Sequence, residues 1–176
     1  MAQRLFTRAD YRAMPDDWRG ELIAGQLVMA PAPVPYHQYL LSELLARIQA
    51  HLGPDQRWRV LPSPVDVDFD DRNIFQPDLL ILPEDSPRPS LEWEIPCPIW
   101  VIEVLSPGTA RQDEQVKLPR MAREGVREAW LVAPRAREIE VCDLASGDRR
   151  THVVGDTASA VALDGFRLPL AEFFVG

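Results

Sequence analysis

Hydrophobic and polar positions along the chain alternate in patterns that predict most of its elements. Glu21-Leu22-Ile23-Ala24-Gly25-Gln26-Leu27-Val28-Met29 is two short apolar runs around Ala-Gly, and predicts a β-hairpin whose glycine supplies a positive φ. From Tyr36 to Leu52 the apolar residues fall at Tyr36, Leu40, Leu41, Leu44, Leu45, Ile48 and Leu52. That is the 3.6-residue period of an amphipathic helix, and Gly53-Pro54 ends it. Val65, Val67 and Phe69 then alternate with Asp66, Asp68 and Asp70, and Asp71-Arg72-Asn73 supplies the turn into a strand over Ile74 to Leu82. These two strands are expected to pair antiparallel.

After a proline-rich loop, Pro83 to Pro98, the run Ile99-Trp100-Val101-Ile102-Glu103-Val104-Leu105 has the near-continuous apolar character of a strand covered on both faces. Thr109 with Gln112 forms a capping-box pattern that opens a helix, which Pro119 kinks or restarts and Gly125 ends. Ala129 to Ala133 and Glu138 to Leu144 read as strands, and Ser146-Gly147-Asp148 turns into a further one over Arg149 to Val154. The order is hairpin, helix, three strands, helix, strands, without an internal repeat. This is an α/β (α+β) pattern in a chain whose 176 residues suit a single domain, 1–176.

Charge and composition narrow the class. With 27 acidic and 19 basic side chains the net charge is −8, which excludes a polybasic nucleic-acid coat while leaving room for a locally basic groove. The 17 prolines sit at element boundaries and read as rigid loops. Cys97 and Cys142 lie in apolar surroundings without zinc spacing, and no window has the length and apolarity of a membrane span. A cytoplasmic protein with reduced thiols is the expectation.

Three residues stand out as chemistry. Glu103 lies inside an apolar strand, where an ionised carboxylate costs several kcal/mol without compensation. It is either a satisfied structural ion pair or a ligand. Asp78 has the same character at the entrance of Leu79-Leu80-Ile81-Leu82, with Pro77 fixing the backbone before it; the plain alternative is a loop acceptor. Two such carboxylates on adjacent core strands would repel one another unless a hard cation such as Mg²⁺ lay between them. Lys117 is the only lysine in the chain, against 18 arginines. With a helix beginning near Ala110, Lys117 lies about 10 Å along its axis while Glu103 lies about 7 Å back from the strand end at Leu105, so a helix folding back over the strand brings the two to similar depth. The alternative is a surface lysine paired with Asp113 at i,i+4, but a chain that otherwise uses arginine has little reason to place lysine there unless a compact ammonium is required.

These residues fall into motifs. Glu21-Leu22-Ile23-Ala24-Gly25-Gln26-Leu27-Val28 is followed by prolines and His37, then Gln76-Pro77-Asp78, then Val101-Ile102-Glu103-Val104-Leu105-Ser106-Pro107, then Asp113 with Lys117, and finally Glu124-Gly125-Val126-Arg127-Glu128-Ala129-Trp130-Leu131-Val132. In this order and spacing, over roughly residues 20–145, the chain resembles the Uma-two-type restriction endonucleases of the PD-(D/E)XK nuclease superfamily. The resemblance implies a restriction-endonuclease-like mixed β-sheet flanked by helices, with an N-terminal β-hairpin. It implies Asp78 and Glu103 as ligands of Mg²⁺, with Mn²⁺ as an alternative. Lys117 would be the superfamily's lysine, supplied from the following helix because Leu105 occupies the usual slot. Glu21, His37, Gln76 and Asp113 are the expected supporting residues.

The function this implies is metal-dependent endonucleolytic hydrolysis of DNA phosphodiester bonds. A helix carrying Arg111, Lys117, Arg120, Arg123 and Arg127 would make the adjoining groove basic. The rival is a catalytically inert nuclease-fold module acting within a complex, which the net acidity favours. A homodimer is an expectation as well, since cutting both strands takes two sites. The apolar Phe166, Leu168, Leu170, Phe173, Phe174 and Val175 would pack on the partner, or else cap the protomer's own sheet. Asp66, Asp68 and Asp70 read as a solvated face, and Trp18, Trp58, Trp93, Trp100 and Trp130 as core or rim.

Overall fold

The structure is a computed structural model and describes residues 4–15, 17–29, 32–54, 58–87, 90, 94–106, 108 and 113–174. After a short helix α1 (Arg8–Arg12) comes the expected hairpin, β1 (Glu21–Ile23) and β2 (Gln26–Val28). Its turn residues Ala24 and Gly25 both have positive φ, 50° and 76°, as a two-residue hairpin turn with the right twist requires. Helix α2 (Pro35–Leu52) ends at Gly53, which has φ 67°. It buries Leu40, Leu41, Leu44 and Ile48, but leaves Tyr36, expected on its inner face, exposed.

The strand expected over Ile74 to Leu82 is two strands in two sheets. β5 (Asn73–Phe75) joins β4 (Val67–Asp70) and the hairpin in a four-stranded sheet of order β2-β1-β5-β4. β6 (Leu79–Leu82) belongs to a six-stranded sheet of order β10-β9-β8-β7-β6-β3. Pro77 has no N–H to give a ladder, and the Gln76 N–H is taken by the Glu21 carboxylate at 2.6 Å, so Gln76-Pro77-Asp78 crosses between the sheets. The edge strand β3 (Arg59–Pro62), antiparallel to β6, was not among the expected elements. Pro62 and Pro64 mask it in the sequence.

β7 (Trp100–Val104) runs parallel to β8 (Glu128–Ala133), and β9 (Glu138–Asp143) and β10 (Arg149–Val153) complete the sheet by antiparallel pairing. Between β7 and β8 a π-helical turn, Asp113–Lys117, leads into α3 (Leu118–Arg123). Pro119 stands in the first turn of α3, where its missing N–H costs nothing, so the helix restarts there. The expected capping residues Thr109 and Gln112 lie outside the described residues, as do Trp93, Arg111 and Val175.

Alternation along β7 sends its side chains into two cores. Trp100, Ile102 and Val104 pack with Leu40, Leu44 and Ile48 of α2 and with Leu168, Phe173 and Phe174. The last three follow β11 (Thr157–Ser159), in β12 (Arg167–Pro169) and α4 (Leu170–Phe173) or just after them. Val101 packs on the opposite face with Leu80, Phe75, Leu118 and Met121. The C-terminal aromatics therefore cap the protomer's own sheet, and Phe166, Leu168, Leu170, Phe173 and Phe174 are all buried. The surface expected to support a dimer is spent inside the protomer. No helix among the described residues is long and apolar enough to cross a membrane.

Candidate functional site

The site lies where β6 begins and β7 ends. Antiparallel pairing matches Leu79 to Ile102, so the next step along the register brings Asp78 opposite Glu103. The Asp78 N–H points to Glu103 Oε2 at 3.4 Å, and the Val104 N–H donates to Asp78 Oδ2 at 2.8 Å. Glu103 points to the same face as Val101, the face covered by the π-helical turn, and from that turn Lys117 reaches down to it. Lys117 Nζ lies 2.9 Å from Glu21 Oε2, 3.0 Å from Asp113 Oδ1 and 3.5 Å from Glu103 Oε1. The Phe75 ring centroid is 5.9 Å from the ammonium.

Each partner is held by a different part of the fold. Glu21, the first residue of β1, joins Lys117 through one oxygen and the Gln76 N–H through the other, so the hairpin ties the ammonium to the crossover between the sheets. Asp113 sits one turn before Lys117 in the same π-helical turn. His37, in the first turns of α2, places Nε2 at 3.0 Å from Asp78 Oδ2. A lone pair there would face an oxygen, so Nε2 carries the proton and donates; Nδ1 is buried without a partner among the described residues. The Gln76 side chain turns away and donates to Asp66 Oδ1, which also accepts from the Tyr11 hydroxyl. Gln76 thus touches the site only through its backbone.

Burial and charge make the cluster unusual. Glu103, Asp113 and Lys117 are 4–5% exposed and Glu21 is 9% exposed. Burial pushes the Glu103 carboxyl well above the usual carboxylate range; the Lys117 ammonium opposes that rise, while Asp78, Asp113 and Glu21 add to it. For Lys117 burial disfavours the charge, but the carboxylates of Glu103, Glu21 and Asp113 outweigh it and hold the proton far above the ordinary lysine value. His37 is raised chiefly by its hydrogen bond to Asp78, against the effect of burial. Lys117 is therefore no surface lysine; its pairing with Asp113 is one of three contacts within a buried cluster.

Among the described residues no group of three or more His, Cys, Asp and Glu side chains is arranged as a ready metal cage. The donor set still suits Mg²⁺, which is commonly held by one or two carboxylates and keeps its remaining positions for water and phosphate oxygens. Asp78 and Glu103 are two such carboxylates, and Glu21 and Asp113 stand beside the same ammonium that Glu103 faces.

The surroundings differ from the basic groove expected. Arg120 is tied to Asp70 at 3.0 Å and Lys117 is buried, which leaves Arg123 and Arg127 as the exposed cations of that segment among the described residues. Asp66, Asp68 and Asp70 are not a bare solvated face. Asp66 serves Tyr11 and Gln76, Asp68 pairs with Arg8 and Arg12 of α1, and Asp70 accepts from Asn73. Cys97 is exposed and Cys142 buried, both as free thiols. Sequence reasoning missed two contributors, the Val104 N–H and the Phe75 ring. Neither a backbone donor nor one apolar residue among many carries a signal of its own in a sequence.

Comparison with known proteins follows the same lines. The model of the family described as "Uma2: Putative restriction endonuclease" matches residues 8–171. Among solved structures, a putative nuclease belonging to DUF820 from Anabaena variabilis ATCC 29413 superposes with a TM-score of 0.83 at 19% sequence identity. The match covers 96% of this chain and 97% of that one and shows that the two share a fold. No curated protein matches. A family match running from α1 into α4, on a mixed α/β fold shared with that protein, shows that this chain belongs to the Uma2 family.

Proposed function

We propose that the protein is a divalent-metal-dependent endonuclease that hydrolyses phosphodiester bonds of DNA, working at the Asp78/Glu103/Lys117 pocket. One observation carries the reading: two carboxylates from neighbouring core strands, where β6 begins and β7 ends, meet beside a buried ammonium. Family membership and the fold shared with a protein described as a nuclease support it.

Asp78 and Glu103 would supply the ligands, with Mg²⁺ or Mn²⁺ as the cation. When bound, such an ion lowers the pKa of water and neutralises phosphate charge. The chain's own groups do the rest. His37 and the Val104 N–H fix the Asp78 carboxylate in one orientation, so it is set before substrate arrives. Glu21 and Asp113 fix the Lys117 ammonium, which stays charged throughout the neutral range; its third N–H, 3.5 Å from Glu103, is the donor left for a phosphate oxygen or the attacking water. Positive charge held where negative charge builds up on the phosphorus oxygens favours the transition state over the ground state.

The test is cleavage. Purified protein is incubated with supercoiled plasmid or a labelled duplex and Mg²⁺ or Mn²⁺, alongside Glu103→Gln and Lys117→Ala. Cleavage by the wild type, abolished by EDTA and by both substitutions, is the expected result. Cleavage that persists in both variants would place the chemistry elsewhere, and a wild type that binds no divalent ion and cuts nothing would leave the inert nuclease-fold module.

A further inference from the structure

Helix α2 carries a feature that the pocket itself does not use. Tyr36 and Tyr39 stand one turn apart on its surface, their rings parallel to within 14° and their centroids 6.1 Å apart. They are 39% and 42% exposed, and Val34, at the N-cap of the same helix, is exposed at 66%. Exposed large apolar groups gathered in one place mark a surface that something covers. Their position is specific, because Tyr36 adjoins His37, whose ring touches Asp78. Consecutive Cα atoms are about 3.8 Å apart, so the aromatic pair begins one residue from the imidazole that touches Asp78.

The charge pattern indicates what covers it. The chain has 27 acidic residues, yet from Met29 to Ser42 it carries no Asp, Glu, Lys or Arg. This segment itself offers a polyanion no carboxylate, and it presents the positive end of an 18-residue helix whose N-cap makes no side-chain hydrogen bond. Flat aromatic faces in such a strip stack on nucleobases without regard to sequence, because every base has a π-face. Inside a duplex those faces are covered by neighbouring pairs, and an unpaired base offers one.

We propose that Tyr36 and Tyr39 form a stacking platform for an unpaired nucleobase of the strand held at the pocket, so that the preferred substrate is single-stranded or carries a flap, gap or frayed end. This rests on the nuclease reading of the pocket and extends it to the form of the substrate. The full-length protein is tested in EDTA, which stops cleavage, by fluorescence anisotropy with a fluorescein-labelled oligonucleotide, either single-stranded or annealed into a blunt duplex. The wild type binds the single strand more tightly. The double variant Tyr36→Ala/Tyr39→Ala loses about tenfold or more of that affinity, Tyr36→Phe/Tyr39→Phe retains it, and binding to the blunt duplex is the same in all three.

Single-strand binding that is absent in the wild type, or equal in the wild type and the alanine variant, overturns the proposal. So does loss of self-association in the alanine variant, by sedimentation, with oligonucleotide binding intact; the patch is then an interface with a second copy of this chain. The cleavage assay is read separately. Tyrosine-dependent binding without any cleavage removes the nuclease reading and keeps the platform as a nucleic-acid-binding surface, whereas cleavage with tyrosine-independent binding removes the platform and keeps the nuclease.

Discussion

Replacing Lys117 by Met keeps the length of the side chain and removes its charge from among three carboxylates. At 2.9, 3.0 and 3.5 Å, and with an effective dielectric constant near 20, each contact is worth about 5 kcal/mol of gross Coulomb attraction. Desolvation offsets most of that, because the Lys117 side chain is 7% exposed. What decides the outcome is the charge left behind, and breaking a buried pair from one side costs about 3–5 kcal/mol. With a urea slope of ~2 kcal/mol/M, the denaturation midpoint should fall by roughly 2 M. Fluorescence of the buried Trp100 and Trp130 reports the transition.

The loss also depends on pH, with a sign that follows from Glu103. The ammonium opposes the rise of the Glu103 pKa, so the variant holds that proton to a higher pH than the wild type does. Between the two folded values the native variant binds a proton that the wild type has released, and its relative stability falls as pH rises. Destabilisation should therefore be larger at pH 8 than at pH 5, and Mg²⁺ should restore part of it by binding the vacated carboxylates. A midpoint shift below about 0.3 M, the size of an ordinary surface substitution, or a loss independent of pH, would refute the reasoning.

Other outcomes follow from the same contacts. Glu103→Gln keeps an acceptor for the Asp78 N–H but carries no charge; wild-type stability from Glu103 is full below about pH 4.5 and falls as pH climbs through its raised value, so the variant should match or exceed the wild type in urea melts at pH 8 while losing cleavage. NMR titration should find the His37 imidazole above its ordinary value and find it lowered in Asp78→Asn; the stability it contributes is present below about pH 6.5 and lost as pH rises through the raised value. Buried Glu128 accepts from the Trp130 indole and from the Val161 and Ala162 N–H groups. Glu128→Ala should cost about 3 kcal/mol in urea melts by stranding those donors, with cleavage per folded molecule unchanged.

Elements whose period or punctuation is strong were legible in the sequence: the Ala24-Gly25 hairpin, the helix ended by Gly53, and the buried strand that carries Glu103. Legibility failed where a side chain took over a backbone group. Ile74 to Leu82 reads as one strand with apolar residues on both sides of Gln76-Pro77-Asp78, but the missing Pro77 N–H and the Glu21 contact to the Gln76 N–H, contributed from another sheet, divide it. Tyr36 fits the helical period and was expected inside, but the period does not tell an aromatic residue that flanks the stripe from one within it. For the pocket, the apolar setting of Glu103 and Asp78 and the solitary Lys117 drew attention to residues that the fold does bring together. The positioning by Val104 and Phe75 and the pairing of Arg120 with Asp70 depend on how separate segments meet, which no spacing encodes.

Calorimetric titration of Mg²⁺ or Mn²⁺ into the wild type, Asp78→Asn and Glu103→Gln decides whether these carboxylates form a divalent-cation site. Saturable binding by the wild type, lost in both variants while each remains folded, is the expected result. Equal heats from all three proteins, or none from the wild type, would contradict it.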